Sequence, residues 1–80
     1  MPTAQLVPLE NIASGRRVII RGLGADSEIA RRLMVLGLAL GTSAEVLQNR
    51  GGGPLLVRAR NTLIAIGRSE AQSIFVEVKS

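Results

Sequence analysis

The sequence predicts a mainly β protein, a small and strongly bent antiparallel barrel with one α-helix inserted between its first two strands. Three observations carry this. Short runs of β-favouring residues recur along the chain and are punctuated by glycine, proline and asparagine. A single stretch, Asp26 to Gly37, has the spacing of a long amphipathic helix. Helices do not alternate with strands, so the pattern of a parallel sheet is missing.

Met1 to Gln5 is polar and without period and reads as a loose tail. Leu6, Leu9 and Ile12 recur at helical spacing around Pro8, which predicts a short turn ahead of Ser14-Gly15. Arg16 to Arg21 forms the first strand, and Gly22 and Gly24 then break the chain. Asp26 offers a carboxylate to the free N–H groups of a helix start, and Gly37 has the freedom needed to end the helix about three turns later. Ile29, Ala30, Leu33 and Leu36 make one apolar stripe, with Glu28 placed at i+3 and i+4 from Arg31 and Arg32 on the polar side. Leu38 and a second glycine, Gly41, hand the chain directly to the next strand.

That strand runs from Ser43 to Arg50, with Ala44, Val46 and Gln48 on one face and Glu45, Leu47 and Asn49 on the other. Gly51-Gly52-Gly53-Pro54 suits a flexible hairpin tip. It lacks the Lys-Ser/Thr pair and the following helix that a phosphate-binding loop needs. Leu55, Val57 and Ala59 alternate with Leu56, Arg58 and Arg60, so the two arginines fall on one solvated strand face. Asn61 then turns the chain into Thr62 to Ile66. Ser69-Glu70-Ala71-Gln72 matches a capping box in which Ser69 and Gln72 satisfy each other's backbone donors. Ile74, Val76 and Val78 alternate with Phe75, Glu77 and Lys79 as the last strand. Val18, Ile20, Val46, Val57, Ile64, Ile66, Ile74 and Val76 then point inward, and Ile29, Leu33 and Leu36 cover one open end. No repeat or linker divides residues 1–80, so one domain is expected.

Composition narrows the chemistry. The 80 residues contain no cysteine and no histidine, which removes thiolate and imidazole as ligands, nucleophiles and bases. The six carboxylates, Glu10, Asp26, Glu28, Glu45, Glu70 and Glu77, are scattered, and Asp26 beside Glu28 is explained by a helix start. No catalytic residue and no cofactor are therefore predicted. Ten Lys and Arg against six Asp and Glu give a net charge of +4, nearly all of it arginine, which favours an acidic partner. Nucleic acid is the alternative on charge, but one Phe and no Tyr or Trp leave almost no platform for stacking bases. No apolar run approaches the roughly 20 residues of a membrane span, and no secretory signal is evident, so a cytoplasmic protein without direct membrane insertion is expected.

The order of motifs is more specific than any one of them. Leu9 through Gly15, Arg32-Leu33-Met34-Val35-Leu36-Gly37-Leu38 with Gly41-Thr42, Gly53-Pro54-Leu55, the Asn61 turn with Ile64-Ala65-Ile66, and Glu70-Ala71 leading to Ile74 and Val76 succeed one another along the chain. In this order the sequence resembles the FeoA family of bacterial ferrous iron transport, from about Leu9 to Val78. Leu40 stands where that family often has proline, and the glycine run before Pro54 is longer than usual. The resemblance implies an SH3-like barrel and a non-enzymatic accessory of the membrane ferrous iron transporter FeoB, acting through its cytoplasmic GTP-binding region. The same fold occurs as the C-terminal domain of iron-dependent repressors, and this chain has no room for their other domains.

Leu33, Leu36, Gly37, Gly41 and Pro54 are the residues on which the fold is expected to depend. Arg31, Arg32, Met34, Val35 and Leu38 are the candidates for a docking face, since arginine beside exposed aliphatic side chains suits an interface. The competing reading has Met34 and Leu38 sealing the barrel while the arginines pair with Glu28. The donor inventory also yields a prediction about metals: calorimetry of the monomer with ferrous iron or zinc is expected to find no stoichiometric site tighter than about a micromolar. A tighter site in a monomeric sample would contradict it.

Overall fold

The structure is a computed structural model and describes residues 5–24 and 27–79. Asp26, the expected helix cap, and residues 1–4 of the tail lie outside the described residues. In chain order the elements are β1 (Leu6–Pro8), a 3₁₀ turn (Leu9–Asn11), β2 (Arg17–Gly22), α1 (Ser27–Val35), β3 (Ser43–Gln48), β4 (Leu55–Ala59), β5 (Thr62–Ile66), α2 (Arg68–Ala71) and β6 (Phe75–Val78). The strands form one antiparallel sheet in the order β1-β6-β2-β3-β4-β5.

The strand order differs from expectation in two ways. Leu6–Pro8 is a sixth strand, paired with β6 so that Val7 lies opposite Val76, and the helical spacing of Leu6, Leu9 and Ile12 is realised only in the single turn Leu9–Asn11. Tertiary pairing wins there because β6 supplies partners for the backbone: the Leu9 N–H donates to the Ile74 carbonyl at 2.8 Å. The helix consequently sits between the second and third strands. The barrel is also open, since β1 and β5 end the strand order and do not pair with each other.

Register shifts bend the sheet at Ile20/Gly22 and at Val46/Gln48. The second shift turns Gln48 out to solvent instead of leaving it on the inner face with Ala44 and Val46. Val18, Ile20, Val46, Val57, Ile64, Ile66, Ile74 and Val76 are all buried, joined by Leu9, Leu33, Leu38 and Leu55. Gly24 has a φ of +78°, and a Cβ there would lie 2.7 Å from the Ser73 carbonyl oxygen, so the chain passes β6's approach too closely for a side chain.

The exit of α1 is built by two hydrogen bonds around Gly37, whose φ is +103°. The Leu38 N–H donates to the Leu33 carbonyl at 2.8 Å and the Gly37 N–H to the Met34 carbonyl at 3.0 Å, the paired closure of a helix by a left-handed glycine. This turns Leu38 back onto Leu33, and both are fully buried. Leu40 and Gly41, with φ +85° at Gly41, then occupy the centre of a turn closed from Thr42 N–H to the Ala39 carbonyl at 3.1 Å. At α2 the cap lies two residues earlier than the sequence suggested: extended Gly67 precedes the helix, and its N–H donates to Glu70 Oε1 at 3.0 Å, while Ser69 falls inside the turn.

Side chains bridge the segments that the sheet leaves apart. Asn49 Nδ2 donates to the carbonyls of Glu10 at 2.8 Å and Ile12 at 2.7 Å, and Asn49 Oδ1 accepts from Arg68 Nη2 at 2.9 Å and from the Gly51 N–H at 3.2 Å. Arg68 also donates through Nε to the Gly53 carbonyl at 3.1 Å and through Nη1 to the Glu10 carbonyl at 3.3 Å. One amide and one guanidinium thus join the 3₁₀ turn, the glycine tip and α2.

This packing yields two stability predictions. Leu33→Ala is expected to cost roughly 2–5 kcal/mol, because it deletes a fully buried side chain and leaves a cavity, and an unchanged denaturation midpoint would contradict it. Asn49→Ala removes the Asn49 donor from the Ile12 carbonyl, leaves the Glu10 carbonyl only its longer bond from Arg68 Nη1, and takes the acceptor from Arg68 Nη2. It is expected to cost about 1–3 kcal/mol by urea denaturation with an unchanged slope.

Candidate functional site

Helix α1 turns one side to the barrel and the other to solvent. Leu33 is buried, and Ile29 and Ala30 pack against the core at its edge. Arg31, Arg32, Met34 and Val35 are exposed, Met34 by 57% and Val35 by 81%. An open groove of about 490 Å³ runs beside this face, lined by Glu28, Ile29, Arg31, Arg32 and Val35 of α1 and by Glu70 of α2. Its floor is aliphatic and its rim carries both charge signs.

Glu70 organises the groove. One carboxylate oxygen accepts the Gly67 N–H that caps α2, and the other pairs with the Arg32 guanidinium, so a single side chain starts one helix and ties it to the next. The side chain of Glu70 is largely shielded and that of Arg32 half exposed. Arg32 therefore reaches across to α2, where the sequence had suggested Glu28 as its partner. Among the described residues Arg31 has no ion pair.

The structure keeps four of the five candidate docking residues at the surface. Leu38 is withdrawn from that set, because the closure at Gly37 folds it completely into the core. Leu36 moves the other way: it lies beyond the last helical residue and is 40% exposed, so it does not continue the inward stripe of partly buried Ile29 and buried Leu33. Glu70 and Leu40 were missed as surface features. Leu40 is 62% exposed in the turn after the helix, and its apolar character at a turn position was the available signal. Pro54 is exposed just before β4.

Three other arginines, Arg17, Arg58 and Arg60, belong to a second surface. Arg17, Glu45 and Arg58 sit side by side on β2, β3 and β4, and Arg58 Nη2 donates to Glu45 Oε1 at 2.7 Å. Arg60 lines the same shallow hollow as Arg17, Glu45 and Arg58, reaching it from the β4–β5 turn, where it and Asn61, at φ 52° and 65°, are the two central residues. The glycine run forms the tip between β3 and β4, where Gly53 accepts from Arg68.

Among the described residues no three His, Cys, Asp or Glu side chains gather as a metal site. The groove presents two carboxylates, two guanidiniums and aliphatic surface, an arrangement that recognises another surface through charge and contact area.

The fold and this helix exit define the class: a small, open, antiparallel SH3-like barrel capped by one helix. Comparison with known proteins gives the family. The FeoA domain matches residues 7–78, and the chain belongs to that family. It is 32% identical over 72 residues to a Methanocaldococcus jannaschii protein named for Fe(2+) transport as transport protein A, covering 90% of this chain and 87% of that one. The crystal structure of Stenotrophomonas maltophilia FeoA complexed with zinc, described as an SH3 domain protein, superposes with a TM-score of 0.73 at 30% identity, covering 89% of each chain. A manganese-dependent transcriptional repressor shares the fold with a TM-score of 0.87 at 23% identity, and the match spans 99% of this chain but 45% of the repressor. The chain is thus a member of the FeoA family, and no helix among its described residues is long and apolar enough to cross a membrane.

Proposed function

We propose that this protein is a non-enzymatic accessory of ferrous iron uptake that works in the cytoplasm by binding the GTP-binding region of a FeoB-type membrane transporter through the exposed side of α1. The observation that carries the reading is the pairing of large exposed aliphatic side chains, Met34 and Val35, with Arg31 on a helix anchored to the barrel by Leu33 and to α2 by Glu70. A rigidly held apolar patch with a cationic rim loses little entropy on docking and orients an acidic partner. The family's association with Fe(2+) transport supplies the biological setting. Nothing in the groove offers a nucleophile beside a base, so the contribution to transport is contact and regulation.

Arg31→Glu combined with Val35→Ala tests the face without touching the Arg32–Glu70 pair. The folded double variant is expected to bind the isolated cytoplasmic domain of the transporter about tenfold more weakly, a loss of about 1.4 kcal/mol, and to support less iron uptake. Binding and uptake at wild-type levels would place the docking surface elsewhere.

A further inference from the structure

The two ends of the sheet are unlike. At β1 the Leu9 N–H bonds to β6, so by alternation Val7 also faces β6 while Leu6 and Pro8 face outward, and Pro8 has no N–H to offer. That edge is short and blocked. The edge at β5 is neither. It is five residues long, Thr62-Leu63-Ile64-Ala65-Ile66, with no proline and no charge, so it carries none of the usual guards against strand addition.

The register decides which groups it presents. The two-residue turn at Arg60-Asn61 makes Ala59 and Thr62 a hydrogen-bonded pair, and alternation then commits Ile64 and Ile66 to β4 as well. The N–H and C=O groups of Leu63 and Ala65 point the other way, toward no further strand. Their side chains are exposed on the outer face, Leu63 by 62%.

We propose that β5 pairs antiparallel with β5 of a second copy of this chain, across a twofold axis at Ile64. The sequence is self-complementary in that register. Leu63 faces Ala65 of the other copy and Ala65 faces its Leu63, so large meets small on the outer face, and those same residues exchange about four backbone hydrogen bonds. Closure is a consequence of the symmetry: pairing consumes both β5 edges, and the Pro8 edge cannot extend the sheet into a fibre. Two five-residue strands bury well under the roughly 1,200 Å² of a stable interface, so the dimer is weak and reversible. Because the contact is uncharged and each chain carries +4, salt strengthens it, opposite to binding through the arginines.

Sedimentation equilibrium from micromolar to millimolar protein, at low and high salt, tests this on the wild type, Leu63→Lys and Ala65→Pro. The proline removes an outward N–H and leaves the β4 ladder intact. The wild type is expected to populate a dimer at the upper concentrations, more so at high salt, and its Leu63 and Ala65 amides to exchange more slowly as concentration rises. Both variants, folded by circular dichroism, are expected to dimerise at least about tenfold more weakly. A wild type that stays monomeric at millimolar concentration and high salt, or a dimer whose Leu63 and Ala65 amides gain no protection, overturns the proposal. So does edge protection that appears only when an unrelated, uncharged extended peptide is added.

Discussion

The barrel has a gap, and the Asn49–Arg68 pair spans it with side chains. Backbone pairing stops at β1 on one side and β5 on the other, yet the segments flanking the gap carry carbonyls that need donors. Asn49 meets them with its full hydrogen-bonding capacity: both amide hydrogens go to Glu10 and Ile12, and the oxygen receives Gly51 and Arg68. Its own backbone N–H donates to Ser14 Oγ at 2.8 Å. Arg68 adds charge-assisted bonds to Glu10 and Gly53, so three loops distant in sequence are held by two side chains. An amide with every site used adopts one orientation, and that rigidity is what a barrel with an open seam otherwise lacks.

Arg68 opens α2, and Glu70 two residues later caps the same turn while holding Arg32 of α1. The seam and the candidate docking face are therefore mechanically continuous. Leu33 and Leu38 fix α1 from beneath, through the closure at Gly37, and Glu70 fixes it from the side. The exposed ion pair contributes little free energy of its own. Its effect is on orientation, since it sets the width of the groove between the two helices.

The core and the helix exit were legible because each is a local pattern: alternation in β2, β4 and β5, an apolar stripe around Leu33, and glycine where the left-handed conformation is needed. The eight inward residues were identified by alternation alone. The features that were not legible depend on partners far along the chain. Leu6–Pro8 reads as part of a turn until β6 is known to lie beside it, and Asn49 reads as an outward strand residue until the 3₁₀ turn is brought against it. Leu38 and Leu36 exchanged roles for a local reason: the helix stops at Val35, so the 3.6-residue period no longer governs the residues beyond it. The exposed face of α1 was legible as far as Arg31, Met34 and Val35, whereas Glu70 was invisible as its neighbour because α2 reaches α1 only in the folded chain.

If one amide and one guanidinium lock the seam, the segments they join should be protected from solvent together. Native-state hydrogen exchange on wild type and Arg68→Ala measures this directly, using the amides of Leu9, Ile12 and Gly51 near the seam and those of Val57 and Ile64 within the β4–β5 pair. Loss of protection confined to the seam amides in Arg68→Ala, with Val57 and Ile64 far less affected, is the predicted result. Equal protection in both proteins at Leu9, Ile12 and Gly51 would show that the Arg68 guanidinium does not lock the seam.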